Sequence, residues 1–125
     1  MSSVPNDLRY TKDHEWAKVN GNIATVGITD YAQHELGDIV FVDLPKVGRE
    51  IKQHEVFGEI EAVKTVASLY APVSGKIVEV NSALSDAADG INKDAYGAGW
   101  IIKVELSNPS EVNALLDATA YQGII

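Results

Sequence analysis

The stretch from Gly58 to Gly75, Gly-Glu-Ile-Glu-Ala-Val-Lys-Thr-Val-Ala-Ser-Leu-Tyr-Ala-Pro-Val-Ser-Gly, places the tightest constraint on how this chain folds. Its side chains alternate in character on either side of a central Val63-Lys64-Thr65. On the near arm Val56, Gly58, Ile60 and Ala62 share one face, and Phe57, Glu59 and Glu61 share the other. A period of two with polar residues outward is the pattern of a half-buried strand. On the far arm Ala67 and Leu69 alternate with Ser68 and Tyr70. Pro72 has no N–H to give to a ladder, so the strand ends there or runs along an edge. Together the arms predict a β-hairpin with Lys64 at its tip, pointing into water.

A lysine in that position has three readings. It can be an ordinary solvated turn residue, the commonest fate of a lysine. It can be a catalytic amine, which needs an apolar pocket or a neighbouring cation to lower its pKa. Glu59 and Glu61 are its near neighbours in sequence and no cation is close, which is the wrong setting for that role. It can also be the attachment point of a prosthetic arm, which needs an exposed amine held in a fixed place. A rigid hairpin tip meets that need.

The rest of the composition narrows the class. At 125 residues the chain is long enough for one domain with one core, and we expect a single domain over 1–125. Asp plus Glu outnumber Lys plus Arg by 18 to 10, a formal charge of −8, which disfavours binding to a phosphate backbone. No basic run addresses a membrane surface, and no apolar run has the length of a transmembrane helix. Met1 to Tyr10 has no apolar signal core and a single arginine, so the expected location is the cytoplasm, or the mitochondrial matrix for a eukaryotic chain given without its leader. There is no cysteine, which excludes disulfides, thiolate metal sites and cysteine nucleophiles together. His14, His34 and His54 lack close ligand spacing, and no nucleophile–base pair is apparent.

Ahead of the hairpin, Leu8, Tyr10 and Trp16 supply apolar bulk, Asn20-Gly21 signals a hairpin turn, and Ile23 to Ile28 returns as a strand. Thr29 to Gly37 reads as a short helix, with Thr29 or Asp30 at its start and Gly37 at its end. Asp38 to Leu44 is an apolar strand, and Pro45 to Gly48 turns the chain. Lys76 to Asn81 is another strand. Ser82 to Asn92 is a polar loop with one helical turn. Its carboxylates lack the spacing of a calcium loop. Gly97-Ala98-Gly99 fails as a dinucleotide fingerprint, because a third glycine is missing and Trp100 to Leu106 reads as a strand. Asn108-Pro109-Ser110-Glu111 starts a helix with Asn108 as N-cap, and Asp117 to Ile125 forms a second short one. Neither helix carries a chemical motif.

Glu61-Ala62-Val63-Lys64 followed by Tyr70-Ala71-Pro72-Val73-Ser74-Gly75 resembles the lipoyl-attachment segment of the H protein of the glycine cleavage system. His14-Glu15-Trp16 is similar to a His-Glu-Trp at the family's entry strand. Gly27 to Gln33 matches its Gly-Ile-Thr-Asp-x-Ala-Gln. Asp94 to Trp100 matches its Pro-Tyr-Gly-x-Gly-Trp, with Ala95 in place of the proline. The Asp-Lys-Ala of 2-oxoacid dehydrogenase lipoyl domains and the Met-Lys-Met of biotinyl domains are both absent. The resemblance runs from about Leu8 through Tyr121. Two further departures stand near the lysine: Ala62 replaces a common serine, and Ser68 a frequent aspartate.

The resemblance implies a mainly β fold, a flattened antiparallel barrel-sandwich hybrid of the lipoyl-domain type, with short helices that include a C-terminal one. Its lipoyl-bearing core would span about 22–104. It implies a monomeric, non-catalytic carrier with lipoic acid in amide linkage on Lys64. Gly58, Glu61, Val63 and Gly75 would be read by the lipoate ligase or lipoyl transferase that attaches the arm. Glu15, Asp13 and Ser68 would belong to a pocket in which the loaded arm rests. The implied partners in glycine catabolism and one-carbon metabolism are the pyridoxal-phosphate glycine decarboxylase, the aminomethyltransferase and lipoamide dehydrogenase. A lipoyl donor for other lipoyl domains, a biotinyl carrier and an unmodified interaction module remain as alternatives.

Overall fold

The computed structural model describes residues 3–125. In chain order its elements are β1 (Arg9–Tyr10), β2 (Glu15–Asn20), β3 (Ile23–Ile28), α1 (Asp30–Leu36), β4 (Ile39–Asp43), β5 (Glu50–Ile51), β6 (Val56–Ala62), β7 (Val66–Tyr70), β8 (Gly75–Val80), α2 (Gly90–Lys93), β9 (Ile102–Leu106) and α3 (Ala118–Gln122). Short 3-10 segments cover Ser82–Ser85 and Pro109–Ala114. All strand pairings are antiparallel. They form one sheet in the order β1-β2-β3-β9-β8-β5 and a second in the order β4-β6-β7. Among the described residues the fold is mainly β, with two sheets, short helices and no closed barrel.

Local chemistry accounts for most of these boundaries. β2 and β3 pair Asn20 with Ile23, so Gly21 and Asn22 form a two-residue loop, one position later than Asn20-Gly21. Gly21 takes a φ of 63°, which glycine adopts without a Cβ penalty. Thr29 caps α1, its hydroxyl accepting the Ala32 N–H at 3.2 Å, and Gly37 ends the helix at φ 79°. β7 stops at Tyr70, two residues before Pro72. The start of the Pro109 segment differs from expectation. Asn108 makes no side-chain cap, and Glu111 instead accepts from the Ser74 N–H at 2.7 Å and the Ser74 hydroxyl at 2.8 Å.

The alternation in β6 changes phase at a bulge. Opposite Tyr70 and Leu69, the register skips from Val56 to Gly58. Phe57 is therefore buried, at 1 % exposure, and Val56 is 40 % exposed. This corrects the expectation that Val56 faces inward and Phe57 outward. An extra residue on one strand shifts every side chain before it to the other face. The Arg49 guanidinium fixes the bulge, donating to the carbonyls of Val56 at 2.9 Å and Phe57 at 3.4 Å. Gly58 is needed there because a Cβ would sit 2.5 Å from the Asp43 carbonyl oxygen.

The main core joins the inner faces of both sheets. Val26, Ile77, Ile102 and Val104 come from the larger sheet, and Val42, Ile60 and Leu69 from the smaller. Burying each aliphatic side chain of this kind stabilises the fold by about 1.5–3 kcal/mol. A second cluster holds Leu8, Tyr10, Trp16, Ala118 and Tyr121. It docks the C-terminal segment, with Tyr10 and Leu116 exchanging two backbone hydrogen bonds of 2.8 Å. The Tyr10 and Tyr121 rings stack at 4.6 Å. The Trp16 indole N–H donates to the Ala95 carbonyl at 3.0 Å.

Candidate functional site

The hairpin of β6 and β7 closes through its backbone. The Ala62 N–H donates to the Thr65 carbonyl at 2.8 Å, and the Val63 N–H donates to the Asp38 carbonyl at 3.0 Å. The second bond ties the tip to the segment just after α1. Val63, Lys64 and Thr65 are all exposed, and no ion pair among the described residues includes Lys64. Its side chain lies over the end of α1: a Cβ built on Gly37 would be 3.6 Å from Lys64 Cε and 3.9 Å from Nζ. The Lys64 backbone is thus fixed in place and its side chain is open to solvent.

Beside that end of α1 is a cleft of about 260 Å³, between the helix, β7 and the turn before β2. Ile28, Ala32, Leu36, Ala67 and Leu69 give it apolar walls. Asp13, His14, Glu15, Tyr31, Glu35 and Ser68 supply its polar groups. Asp13, Glu15 and Ser68, distant in sequence, are therefore brought together. Asp13 and Ser68 are exposed, and Glu15 is 1 % exposed. A larger hollow of about 510 Å³ opens beside Gly75, but it includes no residue of the lysine hairpin.

The turn from Thr11 to Glu15 sets the carboxyl in place. The Thr11 N–H donates to the Glu15 carbonyl at 3.0 Å, closing the turn. The Thr11 hydroxyl accepts from the N–H groups of Asp13 at 3.2 Å and Glu15 at 3.1 Å, and donates to Glu15 Oε1 at 2.7 Å. From the other wall the Tyr70 N–H donates to Glu15 Oε2 at 3.3 Å. Burial pushes the Glu15 carboxyl up to about 8, against the pull of the Thr11 and Tyr70 hydrogen bonds. Burial also lowers the pKa of His14, against the Asp13 and Glu35 charges.

The remaining sequence candidates separate from this cleft. Glu61 stands on the outer face of the smaller sheet, between exposed Phe41 and Val66 in register. Gly75 lies in the other sheet between Ile51 and Leu106, and a Cβ on it would collide with the Glu105 carbonyl oxygen. Gly58 and Gly75 thus both have packing reasons to be glycine. Sequence reasoning did not assign His14, Tyr31 or Glu35 to the cleft. The pairing of Tyr31 with Glu35 on one helical face was a visible signal, and their groups lie 3.4 Å apart.

The family model described as "Glycine cleavage H-protein" matches residues 8–125. The glycine cleavage system H protein of Symbiobacterium thermophilum is 61 % identical over 121 residues, covering 97 % of this chain and 94 % of that protein. The H protein of Chlorobium limicola is 58 % identical over 125 residues, covering 98 % of each. Among solved structures, a glycine cleavage system H protein from Mycobacterium marinum is similar with a TM-score of 0.89 and 45 % identity, over 96 % of this chain and 97 % of that one.

Proposed function

The chain belongs to the glycine cleavage H-protein family, and on that footing we propose that it is a lipoyl carrier with the cofactor in amide linkage on Lys64. The observation that carries the assignment is an exposed amine on a backbone-locked tip, its side chain lying over the end of α1 where the cleft opens. The residues present fit the group. Ile28, Ala32, Leu36, Ala67 and Leu69 suit an aliphatic arm, and the polar end at Glu15 suits a cationic amine. When bound, the lipoyl group supplies a reducible disulfide whose sulfur accepts the aminomethyl cargo derived from glycine.

The chain's own residues bind and protect and make no bonds. An amine cation entering the cleft favours the ionised form of Glu15, giving a charge-assisted contact worth about 1.5–3 kcal/mol. The apolar walls keep water from the cargo. Asp13 and Ser68 line the mouth of the same cleft. Lys64 at the tip would present the arm in turn to the glycine decarboxylase, the aminomethyltransferase and lipoamide dehydrogenase. Glu61 and Val63, exposed beside the lysine, are available to the ligase or transferase that attaches the arm.

Peptide mapping of cell-derived protein tests the assignment. The expected result is a lipoyl group on Lys64 alone, lost in Lys64→Arg because a guanidinium cannot form the amide. Lipoylation that persists in that variant refutes it.

A further inference from the structure

We propose that Tyr121, on the C-terminal helix, is a positioning residue for the cargo cleft, its one hydroxyl joining the turn that carries Glu15 to the helix that walls the cleft. The proposal rests on the carrier reading above. It explains a helix in which the sequence shows no chemistry.

His14, the residue before Glu15, has a φ of 70°. Histidine takes that backbone more readily than most L-residues, and His54, away from the cleft, takes it too at φ 75°, so the case for His14 rests on its contacts. The His14 N–H donates to the Thr11 carbonyl at 3.2 Å, and its carbonyl accepts the Thr29 N–H at 2.9 Å. Its Nδ1 lies 2.9 Å from the Tyr121 hydroxyl, and its ring lies 4.9 Å from that of Tyr31. The Tyr121 hydroxyl is also 2.7 Å from Thr29 Oγ1, the atom that caps α1 by accepting the Ala32 N–H.

The arrangement that uses each hydroxyl proton once has the Thr29 hydroxyl donating to Tyr121 and the Tyr121 hydroxyl donating to His14 Nδ1, with the ring proton on Nε2, and it is the direction the proposal takes. Burial pushes the Tyr121 phenol up to about 12, so it keeps the proton it must donate. The same burial lowers the pKa of His14, favouring the neutral ring that accepts it. Stacking on Tyr10 holds the phenol where it reaches both walls.

The test uses the full chain with Tyr121→Phe, which keeps the ring and removes only the hydroxyl. Lipoylation is expected to be unchanged. After loading with glycine and the decarboxylase, release of ammonia and formaldehyde without the transferase is expected to be about three- to tenfold faster, the factor that one hydrogen bond is worth. In the unlipoylated chain, the His14 ring nitrogens are expected to move in the NMR spectrum from one tautomer to a mixture. His14→Asn accepts the left-handed backbone without the ring, and is expected to give a similar acceleration. Adding Tyr121→Phe to it is expected to do nothing more, because the two act through one contact. An unchanged release rate in folded Tyr121→Phe, or effects that multiply in the double variant, overturns the proposal. Should Tyr121→Phe not fold, an unchanged rate in His14→Asn overturns it. A wild-type chain that takes up no lipoyl group refutes the carrier reading instead, and the nitrogen spectra still decide whether Tyr121 sets the His14 ring.

Discussion

The turn from Thr11 to Glu15 and the hairpin tip from Ala62 to Thr65 each reverse the chain in a few residues, and they treat an ionisable side chain in opposite ways. The tip is closed by backbone groups and leaves Lys64 in water. The other turn places Glu15 at 1 % exposure and needs a hydroxyl with three hydrogen bonds, an N–H from another strand and a left-handed histidine to do so. Presenting a side chain asks little of its surroundings, because water satisfies it. Burying a carboxyl removes that water, so each polar atom needs a partner from the protein. In the carrier reading the first turn holds the arm and the second receives what the arm brings.

Three experiments break or sharpen this contrast. The largest effect is on stability against pH. The Glu15 carboxyl ordinarily titrates near 4.5, its value in the unfolded chain, and near 8 in the folded one. The folded state therefore binds this proton more tightly. Its contribution is complete below about pH 4.5 and is lost as pH rises through about 8, a swing of roughly 3–5 kcal/mol. Glu15→Gln removes that swing. Urea unfolding of both proteins at about pH 5, 7 and 9 measures it as their difference. A difference that does not change with pH would put the Glu15 carboxyl in a watery setting like that of the lysine, and the contrast would fall.

A smaller effect separates the two turns by their threonines. Thr11→Val deletes three hydrogen bonds and leaves Glu15 Oε1 without a donor, which is expected to cost about 2–3 kcal/mol. Thr65→Ala, at the exposed tip, is expected to change stability by about 0.5 kcal/mol or less. Equal losses in chemical denaturation would mean that both turns depend on side chains. Smallest of all is Lys64→Ala, expected within about 0.5 kcal/mol of wild type by the same measurement. A loss of several kcal/mol there would mean that the lysine is held by packing.

Local patterns carried the sequence reading a long way. The alternation from Ile60 to Ala62, the break at Pro72, the Thr29 cap and the Gly37 stop all depend on neighbours within one element, and each appears where expected. The misreadings arise where a side chain outside the local pattern intervenes. Val56 and Phe57 exchange faces because of a bulge that Arg49 braces from outside the strand. Asn108 does not cap: its side-chain oxygen accepts the Ser110 hydroxyl at 2.6 Å, while the Glu111 carboxylate reaches Ser74, 37 residues earlier.

What the sequence determined alone is a lysine at the turn of an alternating hairpin, in an acidic, cysteine-free chain of mainly strand-forming segments. Periodicity, proline and glycine act over a few residues, and those few residues are printed together. What only the tertiary structure decided is the cleft beside that lysine. Its walls come from the turn at Thr11–Glu15, the helix Asp30–Leu36 and the strand Val66–Tyr70, and its brace from Tyr121, 107 residues beyond His14. Which carboxyl is desolvated, and how far its pKa moves, depends on how much water these segments exclude once packed. That quantity exists only when the turn, the helix and the strand have closed around it.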